Sequence, residues 1–108
     1  MIDNQQILID LKQHLKNHFG DSIKDVVLFG SQARGDSNKY SDYDVLIVLD
    51  KDYTGKDENN ILDLCYDIDL KYNILLDIHL LSEREIKSER GKQPIFINAL
   101  KSGLYAWQ

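Results

Sequence analysis

Apolar residues recur along the chain at two different spacings, and the change from one spacing to the other predicts an α/β fold. The first helix begins after Asp3, which would form a capping box with Gln6, and it ends at Gly20. Its apolar face is marked by residues at helical spacing, namely Leu8, Leu11, Leu15 and Phe19.

Three apolar segments predict β-strands. They are residues 25–29 ("DVVLF"), 43–50 ("YDVLIVLD") and 73–81 ("NILLDIHLL"). The second is apolar almost throughout, as is typical of a strand that is covered on both faces.

Helical segments separate these strands. A short helical turn is expected from Ser31 to near Gly35, and residues 51–60 are expected to form a polar loop. A longer helix then presents an apolar face at helical spacing, formed by Ile61, Leu64, Cys65, Ile68 and Tyr72.

Two further helices follow the last strand. Ser82 and Glu85 predict a capping box that opens a helix continuing to about Arg90. Pro94 starts the final helix, which runs through Leu100 before Gly103 ends it.

The order α-β-α-β-α-β-α-α predicts a small α/β sandwich. One mixed sheet of three or four strands would pack against the helices, in a single domain of residues 1–108.

Composition narrows the class of protein. The 108 residues are 43% hydrophobic and 29% charged, with a net charge of −5, so we expect no basic face for direct nucleic-acid binding. Cys65 is the only cysteine and cannot form an internal disulfide. No segment approaches the ~18 apolar residues of a membrane span, and residues 1–20 lack a signal-peptide pattern. The expected location is the cytoplasm, away from the membrane.

Three aspartates interrupt the predicted strands. Asp42 and Asp44 lie two apart at the start of one strand, so both carboxylates are expected on the same face. Asp77 interrupts the next strand and would lie beside Asp44 if the two strands are adjacent. Neighbouring carboxylates on apolar strands repel each other and are costly to desolvate, whereas divalent cations remove the conflict. The three residues therefore predict a site for two metal ions of the kind used in phosphoryl transfer.

The turn after the first strand predicts a phosphate site. Gly30 and Gly35 have P-loop spacing, but Asp36 stands where that motif requires lysine, so we interpret the P-loop match as coincidental. A helix start after Gly30 would present free backbone N–H groups to an anion. Ser31 would add a hydroxyl donor, and Arg34 would reach the same phosphates.

Together these residues resemble a known family. Gly30-Ser31, ten intervening residues and then Asp42-Tyr43-Asp44 match the Gly-Ser-x10-Asp-x-Asp signature of the DNA polymerase β-like nucleotidyltransferase superfamily. The segment "GSQARGDSNKYSDYDVLIV" resembles the minimal nucleotidyltransferases in particular. These short proteins often act as antitoxins beside a helical HEPN-domain ribonuclease toxin.

The resemblance implies an activity and a set of residue roles. Asp42, Asp44 and Asp77 would be catalytic and ligate two Mg²⁺ ions, while Gly30, Ser31 and Arg34 would bind the nucleotide. The reaction would be Mg²⁺-dependent transfer of AMP from ATP to a protein hydroxyl, such as a tyrosine of a cognate HEPN toxin. The protein would then be the antitoxin of a type VII-like toxin–antitoxin system.

Three alternatives remain beside this interpretation. An antitoxin could neutralise its toxin by binding and occlusion without catalysis. Aminoglycoside nucleotidyltransferases use the same motif but need a further domain to hold the drug, for which 108 residues leave no room. A template-directed polymerase is disfavoured by the acidic charge.

Several other residues have open or structural interpretations. Asp67 and Asp69 are alternatives for the third carboxylate, although a helix with Ile68 in the core would direct them to solvent. His79 would share the face of Asp77 and either line the site or serve as an ordinary strand histidine. His14 is interpreted with His18 as a surface pair, since no carboxylate or cysteine is expected to complete a metal site with them.

The aromatic residues at the chain end have two interpretations. Tyr105 and Trp107 either fold back on the core or contact a partner, and we favour folding back.

Overall fold

A computed structural model describes residues 3–34 and 42–107 of the chain, without the side chain of Arg34. Gly35 and the P-loop-like positions after it lie outside the described residues, as does the role predicted for the Arg34 side chain. The helices are α1 (Asn4–Phe19), α2 (Ser31–Arg34), α3 (Gly55–Tyr72), α4 (Glu83–Ile86) and α5 (Pro94–Ser102), with a 3₁₀ turn at Gly20–Ser22. The strands are β1 (Ile23–Phe29), β2 (Tyr43–Leu49), β3 (Leu76–Ser82) and β4 (Leu104–Tyr105).

The described strands form one mixed sheet in the order β3-β2-β1-β4. β1 is antiparallel to both β2 and β4, whereas β2 and β3 are parallel. The parallel pair is joined by α3, because parallel strands require a long crossover connection. The predicted adjacency of the two aspartate-bearing strands is confirmed, with Asp44 paired to Asp77.

The sheet is covered on both faces, as the apolar character of β2 predicts. α1 and α3 pack on one face, where the core includes Leu11, Val45, Ile47 and Ile61. α5 packs on the other face, where the core is formed by Val27, Leu46, Val48, Leu81, Phe96 and Ala99. Side chains alternate along a strand, so Asp44, Asp77 and His79 lie on the face covered by α5.

The start of α1 differs from the prediction. Asp3 is the N-cap, and its carboxylate accepts a hydrogen bond from the Gln5 N–H at 2.9 Å. The predicted capping box with Gln6 is wrong, because the Gln6 side chain instead donates to Asp10 Oδ1 at 3.1 Å.

The helix α3 begins earlier than its apolar pattern indicates. Residues 55–60 were predicted to be loop but form its first turns. Thr54 accepts a hydrogen bond from the Asp57 N–H, and Asp57 Oδ2 accepts one from the Thr54 N–H, which completes a capping box. Asp57 and Glu58 also place negative charge at the positive end of the helix.

The helix α4 keeps its predicted start but is shorter than expected. The capping box of Ser82 and Glu85 is confirmed, but α4 ends at Ile86 rather than near Arg90. Beyond the helix, the Glu85 carbonyl accepts from the Ser88 hydroxyl and from the Gly91 N–H, which are not hydrogen bonds of a continuing α-helix.

The chain end forms a short strand that the sequence pattern did not predict. The buried Gln5 side chain donates to the Tyr105 carbonyl at 2.8 Å and accepts from the Trp107 N–H at 3.2 Å. Tyr105 folds back, since its hydroxyl donates to the Leu100 carbonyl at 2.7 Å. The preference for folding back is wrong for the Trp107 side chain, which is 76% exposed. Among the described helices, none is long and apolar enough to cross a bilayer.

Candidate active site

The candidate site lies where β1 ends and where β2 and β3 begin. Asp44 on β2 pairs in register with Asp77 on the adjacent strand β3. His79 follows two residues after Asp77 and therefore shares its face of the sheet. One ligand atom from each of Asp44, Asp77 and His79 lies within 4.8 Å of the other two, which defines the Asp-Asp-His group.

The electrostatics of Asp44 follow from its partial burial and from its charged neighbours. Burial raises the pKa of Asp44, and the hydrogen bond with Asp77 and the negative charge of Asp77 raise it further. The nearby His79 lowers the pKa of Asp44, while the charge of Asp42 raises it. The negative charge of Asp77 thus disfavours the ionised form of Asp44, and a bound cation would favour it.

Gly30 brings the turn after β1 into contact with this group. Its φ is +77°, a left-handed conformation that glycine adopts without a Cβ clash. A Cβ built on Gly30 would lie only 2.4 Å from Asp44 Oδ2. Glycine is therefore required here both by the backbone and by the close approach of a carboxylate.

The other predicted phosphate ligands follow this turn. Ser31 is the first residue of α2, a four-residue helix, and it is partly buried. The structure thus brings the predicted glycine turn and the carboxylate pair to one place. The roles assigned to Gly30 and Ser31 remain predictions.

Asp42 is placed differently from the other two aspartates. It precedes β2, is exposed, and is not a member of the Asp-Asp-His group. Its charge nevertheless acts on Asp44. Its predicted role as a metal ligand remains a prediction.

His79 is the member of the group whose role the sequence left open. Its ring centroid lies 5.5 Å from that of Phe29 and 6.2 Å from that of Phe96, and its side chain is 25% exposed. The sequence signal that could have identified His79 was its spacing from Asp77, because residues two apart in a strand lie on one face. The contact with Asp44 depends on the register between strands, which the pattern alone does not give.

A cavity of about 220 Å³ opens beside Gly30. Phe29, Gly30 and Ala33 line one side of it, and Ile95, Asn98 and Ala99 of α5 line another. This space adjoins the glycine turn on the same face of the sheet as the carboxylates.

The alternative carboxylates lie on the other face of the sheet. Asp67 is exposed on α3, and its Oδ2 lies 2.8 Å from Nε2 of the partly exposed His14, so the pair of His14 and His18 does have a carboxylate neighbour. Asp69 is only partly exposed, because its carboxylate accepts a hydrogen bond from the Leu76 N–H at 3.0 Å. The expectation of solvent exposure is thus confirmed for Asp67 and wrong for Asp69. The Asp69 carboxylate instead stabilises the start of β3.

The donor set fits a divalent metal ion. Asp44 and Asp77 offer hard carboxylate oxygens, and His79 adds an imidazole nitrogen. Burial, followed by the hydrogen bond and charge of Asp77, raises the pKa of Asp44, so a cation at this position would stabilise the Asp44 carboxylate.

Comparison with known proteins identifies the family. Residues 8–105 match the family described as "Nucleotidyltransferase domain". Three similar proteins from Methanocaldococcus jannaschii each carry the name "Putative protein adenylyltransferase". One is 31% identical over 102 residues, which cover 94% of this chain and 96% of the relative. A second is 37% identical over a region that covers 66% of this chain and 72% of the relative. A third is 44% identical over a region that covers 44% of this chain and 31% of the relative. The chain therefore belongs to the nucleotidyltransferase domain family.

Proposed function

We propose that this protein transfers AMP from ATP to a hydroxyl group of another protein. The observation that carries the proposal is the pairing of Asp44 with Asp77 on adjacent strands, with Gly30 against Asp44 Oδ2. Paired carboxylates beside a glycine turn suit in-line transfer of a phosphate group. The names of the relatives support a protein as the acceptor class.

The proposed reaction makes and breaks one bond at phosphorus. The acceptor oxygen bonds to the α-phosphorus of ATP, the bond from this phosphorus to the bridging oxygen of the β-phosphate breaks, and pyrophosphate leaves. Asp77 would accept the hydroxyl proton and pass it to solvent, because its side chain is 53% exposed.

The glycine turn would position the nucleotide. Backbone N–H groups after Gly30 and the Ser31 hydroxyl would donate to the triphosphate, with Arg34 as a further cation. The cavity beside Gly30 provides space for the rest of the nucleotide. Positioning and charge stabilisation would supply most of the rate enhancement.

The carboxylates would hold the divalent cofactor. Asp42, Asp44 and Asp77 are proposed to hold Mg²⁺, as two ions. The bound cofactor would neutralise the triphosphate and lower the pKa of the attacking hydroxyl.

The biological role that we propose is that of an antitoxin. Transfer of AMP to a tyrosine of a cognate HEPN ribonuclease would silence that toxin, as in a type VII-like toxin–antitoxin system. The support is the resemblance of the Gly30–Asp44 segment to minimal nucleotidyltransferases. Neutralisation by occlusion is the alternative that the following experiment separates.

The test is transfer of label from ATP carrying ³²P on the α-phosphate, with Mg²⁺ and a HEPN-type protein as acceptor. We expect a labelled acceptor with the wild type, and a loss of at least about 100-fold with Asp44→Asn or Asp77→Asn. Asp50→Asn is the matched control, since Asp50 is an exposed aspartate at the opposite end of β2.

Other outcomes would contradict the proposal in different ways. Equal labelling by the wild type and both site variants would place the chemistry elsewhere. Full neutralisation of the toxin by Asp44→Asn, without label, would support occlusion. Label that appears only from γ-³²P-ATP would indicate phosphate transfer rather than AMP transfer.

A further inference from the structure

His79 brings a nitrogen atom to a site otherwise made of carboxylates. Its Nε2 lies 3.5 Å from Asp77 Oδ2, and both residues belong to the Asp-Asp-His group with Asp44. The glycine turn and three aspartates already account for the proposed transfer. The imidazole is therefore a feature that the proposed function does not use.

The spacing of these atoms suits ligands of a shared ion better than a direct hydrogen bond. A hydrogen bond between nitrogen and oxygen usually measures about 2.7–3.2 Å, which is shorter than the 3.5 Å observed here. Two atoms bound to one ion at about 2.1 Å lie about 3.0–3.5 Å apart in neighbouring positions. The third member, Asp44, has a ligand atom within 4.8 Å of those of the other two residues.

The imidazole ring is held in place before any ion binds. Phe29 lies against it with a tilted ring, and Phe96 meets it edge to face. Phe96 is only 3% exposed, so its side chain is fixed in the core under α5. A ligand that is already oriented loses little conformational freedom on binding, which favours its use by a metal.

We propose that Asp44, Asp77 and His79 Nε2 form a mixed oxygen–nitrogen metal site. Imidazole binds transition-metal ions well, and its affinity rises from Mn²⁺ to Co²⁺, whereas Mg²⁺ prefers oxygen ligands. His79 therefore raises the affinity of the site for Mn²⁺ and Co²⁺ relative to Mg²⁺. The inference rests on the proposed function, because it concerns the metal specificity of the same site.

The experiment detects nitrogen coordination directly, by electron spin echo spectroscopy of bound Mn²⁺. The chain contains three histidines, and His14 and His18 have ring centroids only 5.9 Å apart, so they could bind metal on their own. Both are therefore replaced, in a His14→Gln/His18→Gln background in which His79 is the only remaining histidine. The same background with His79→Gln is the matched comparison.

We expect ¹⁴N modulation of the Mn²⁺ signal in the background protein and its loss on His79→Gln. Mn²⁺ affinity should fall at least about tenfold, Co²⁺ affinity should fall further, and Mg²⁺ affinity, measured by competition, should change less than about threefold. Asp77→Asn should weaken all three ions. Circular dichroism checks that each variant is folded.

Two results would overturn the inference. If Mn²⁺ binds through the aspartates, as judged by its loss on Asp77→Asn, but shows no ¹⁴N modulation, His79 is not a ligand. Equal losses of Mg²⁺ and Mn²⁺ affinity on His79→Gln would contradict the specificity. Either result is compatible with AMP transfer by the wild type. If metal binds but no label is transferred, the proposed function is contradicted and the metal inference is not.

Discussion

Gly30 meets two separate requirements, and Gly20 shares only one of them. Its backbone is left-handed, and the space where a side chain would begin is filled by Asp44 Oδ2. Gly20 shares the first requirement, with a φ of +60°, but no atom would lie within 4 Å of its Cβ. Substitutions at Gly30 and at Gly20 can therefore be compared to separate backbone strain from steric displacement of the Asp44 carboxylate.

We expect Gly30→Ala to lower AMP transfer by at least about 100-fold, because the new methyl group must displace the Asp44 carboxylate. Gly20→Ala should leave transfer within about twofold of the wild type. Both variants should lose about 1 kcal/mol of stability through the left-handed backbone. Label transfer and urea unfolding followed by circular dichroism measure the two effects. Similar activity losses in both variants would mean that strain, and not contact with Asp44, is responsible.

At the scale of elements, Asp10 joins α1 to α3. Its carboxylate accepts hydrogen bonds from Lys71 Nζ at 2.8 Å, from the Tyr72 hydroxyl and from the Gln6 side chain. The Lys71 hydrogen bond, followed by the Tyr72 hydrogen bond, lowers the pKa of Asp10 below its ordinary value of 3.8. The native protein therefore binds this proton more weakly than the unfolded chain does.

The sign of the pH dependence follows from that difference. The contribution of Asp10 to stability is fully present above its ordinary pKa of 3.8 and is lost as the pH falls through the lowered native value. We expect Asp10→Asn to lose about 1 kcal/mol at neutral pH and to converge with the wild type in strong acid. Urea unfolding across this pH range is the measurement. Asp63→Asn, on the exposed side of α3, is the control. A stability difference between Asp10→Asn and the wild type that stays constant at all pH values would contradict the account.

The limits of sequence-based prediction are also visible at the scale of elements. The strands β2 and β3 were recognisable because runs of apolar residues mark strands buried on both faces. The start of α3 was missed because residues 55–60 have no apolar spacing, and their helix depends on the Thr54–Asp57 capping box. The strand β4 was missed because its two residues form a strand only by pairing with β1, and Gln5 from the opposite end of the sequence holds them there.

The candidate site was predictable to the extent that it depends on alternation along a strand. Asp44 and Asp77 could be paired by assuming adjacent strands, and the register confirms this. The contact of Gly30 with Asp44 could not be predicted, since it arises from the antiparallel pairing of Phe29 with Asp44. The ring contacts of His79 with Phe29 and Phe96 likewise depend on the order of the strands and on the packing of α5.

At the scale of the whole molecule, Cys65 reports on opening of the core. It is the only cysteine, it lies in the core under α3, and burial raises the pKa of its thiol to about 12. We expect the native protein to react with a thiol reagent at least about 100-fold more slowly than the urea-unfolded chain. ATP together with a divalent ion should slow the reaction further, because ligands that bind only the native state stabilise it.

The measurement is the rate of reaction with Ellman's reagent, with and without ATP and Mn²⁺. The Asp44→Asn variant provides the control, since nucleotide and metal should protect Cys65 less in this variant than in the wild type. Fast reaction of the native wild type would contradict the enclosed position of Cys65.

The anchoring of the chain end by Gln5 has a practical consequence for spectroscopy. Trp107 is the only tryptophan, its side chain is exposed, and its backbone N–H is held by the Gln5 side chain. Its fluorescence therefore reports on the chain end, where the edge strand β4 and the Gln5 side chain hold the backbone, and not on the core of the protein. If this segment detaches first, a denaturation curve recorded by tryptophan emission precedes the one recorded by circular dichroism. Disagreement between the two probes would then not by itself indicate a folding intermediate of the core.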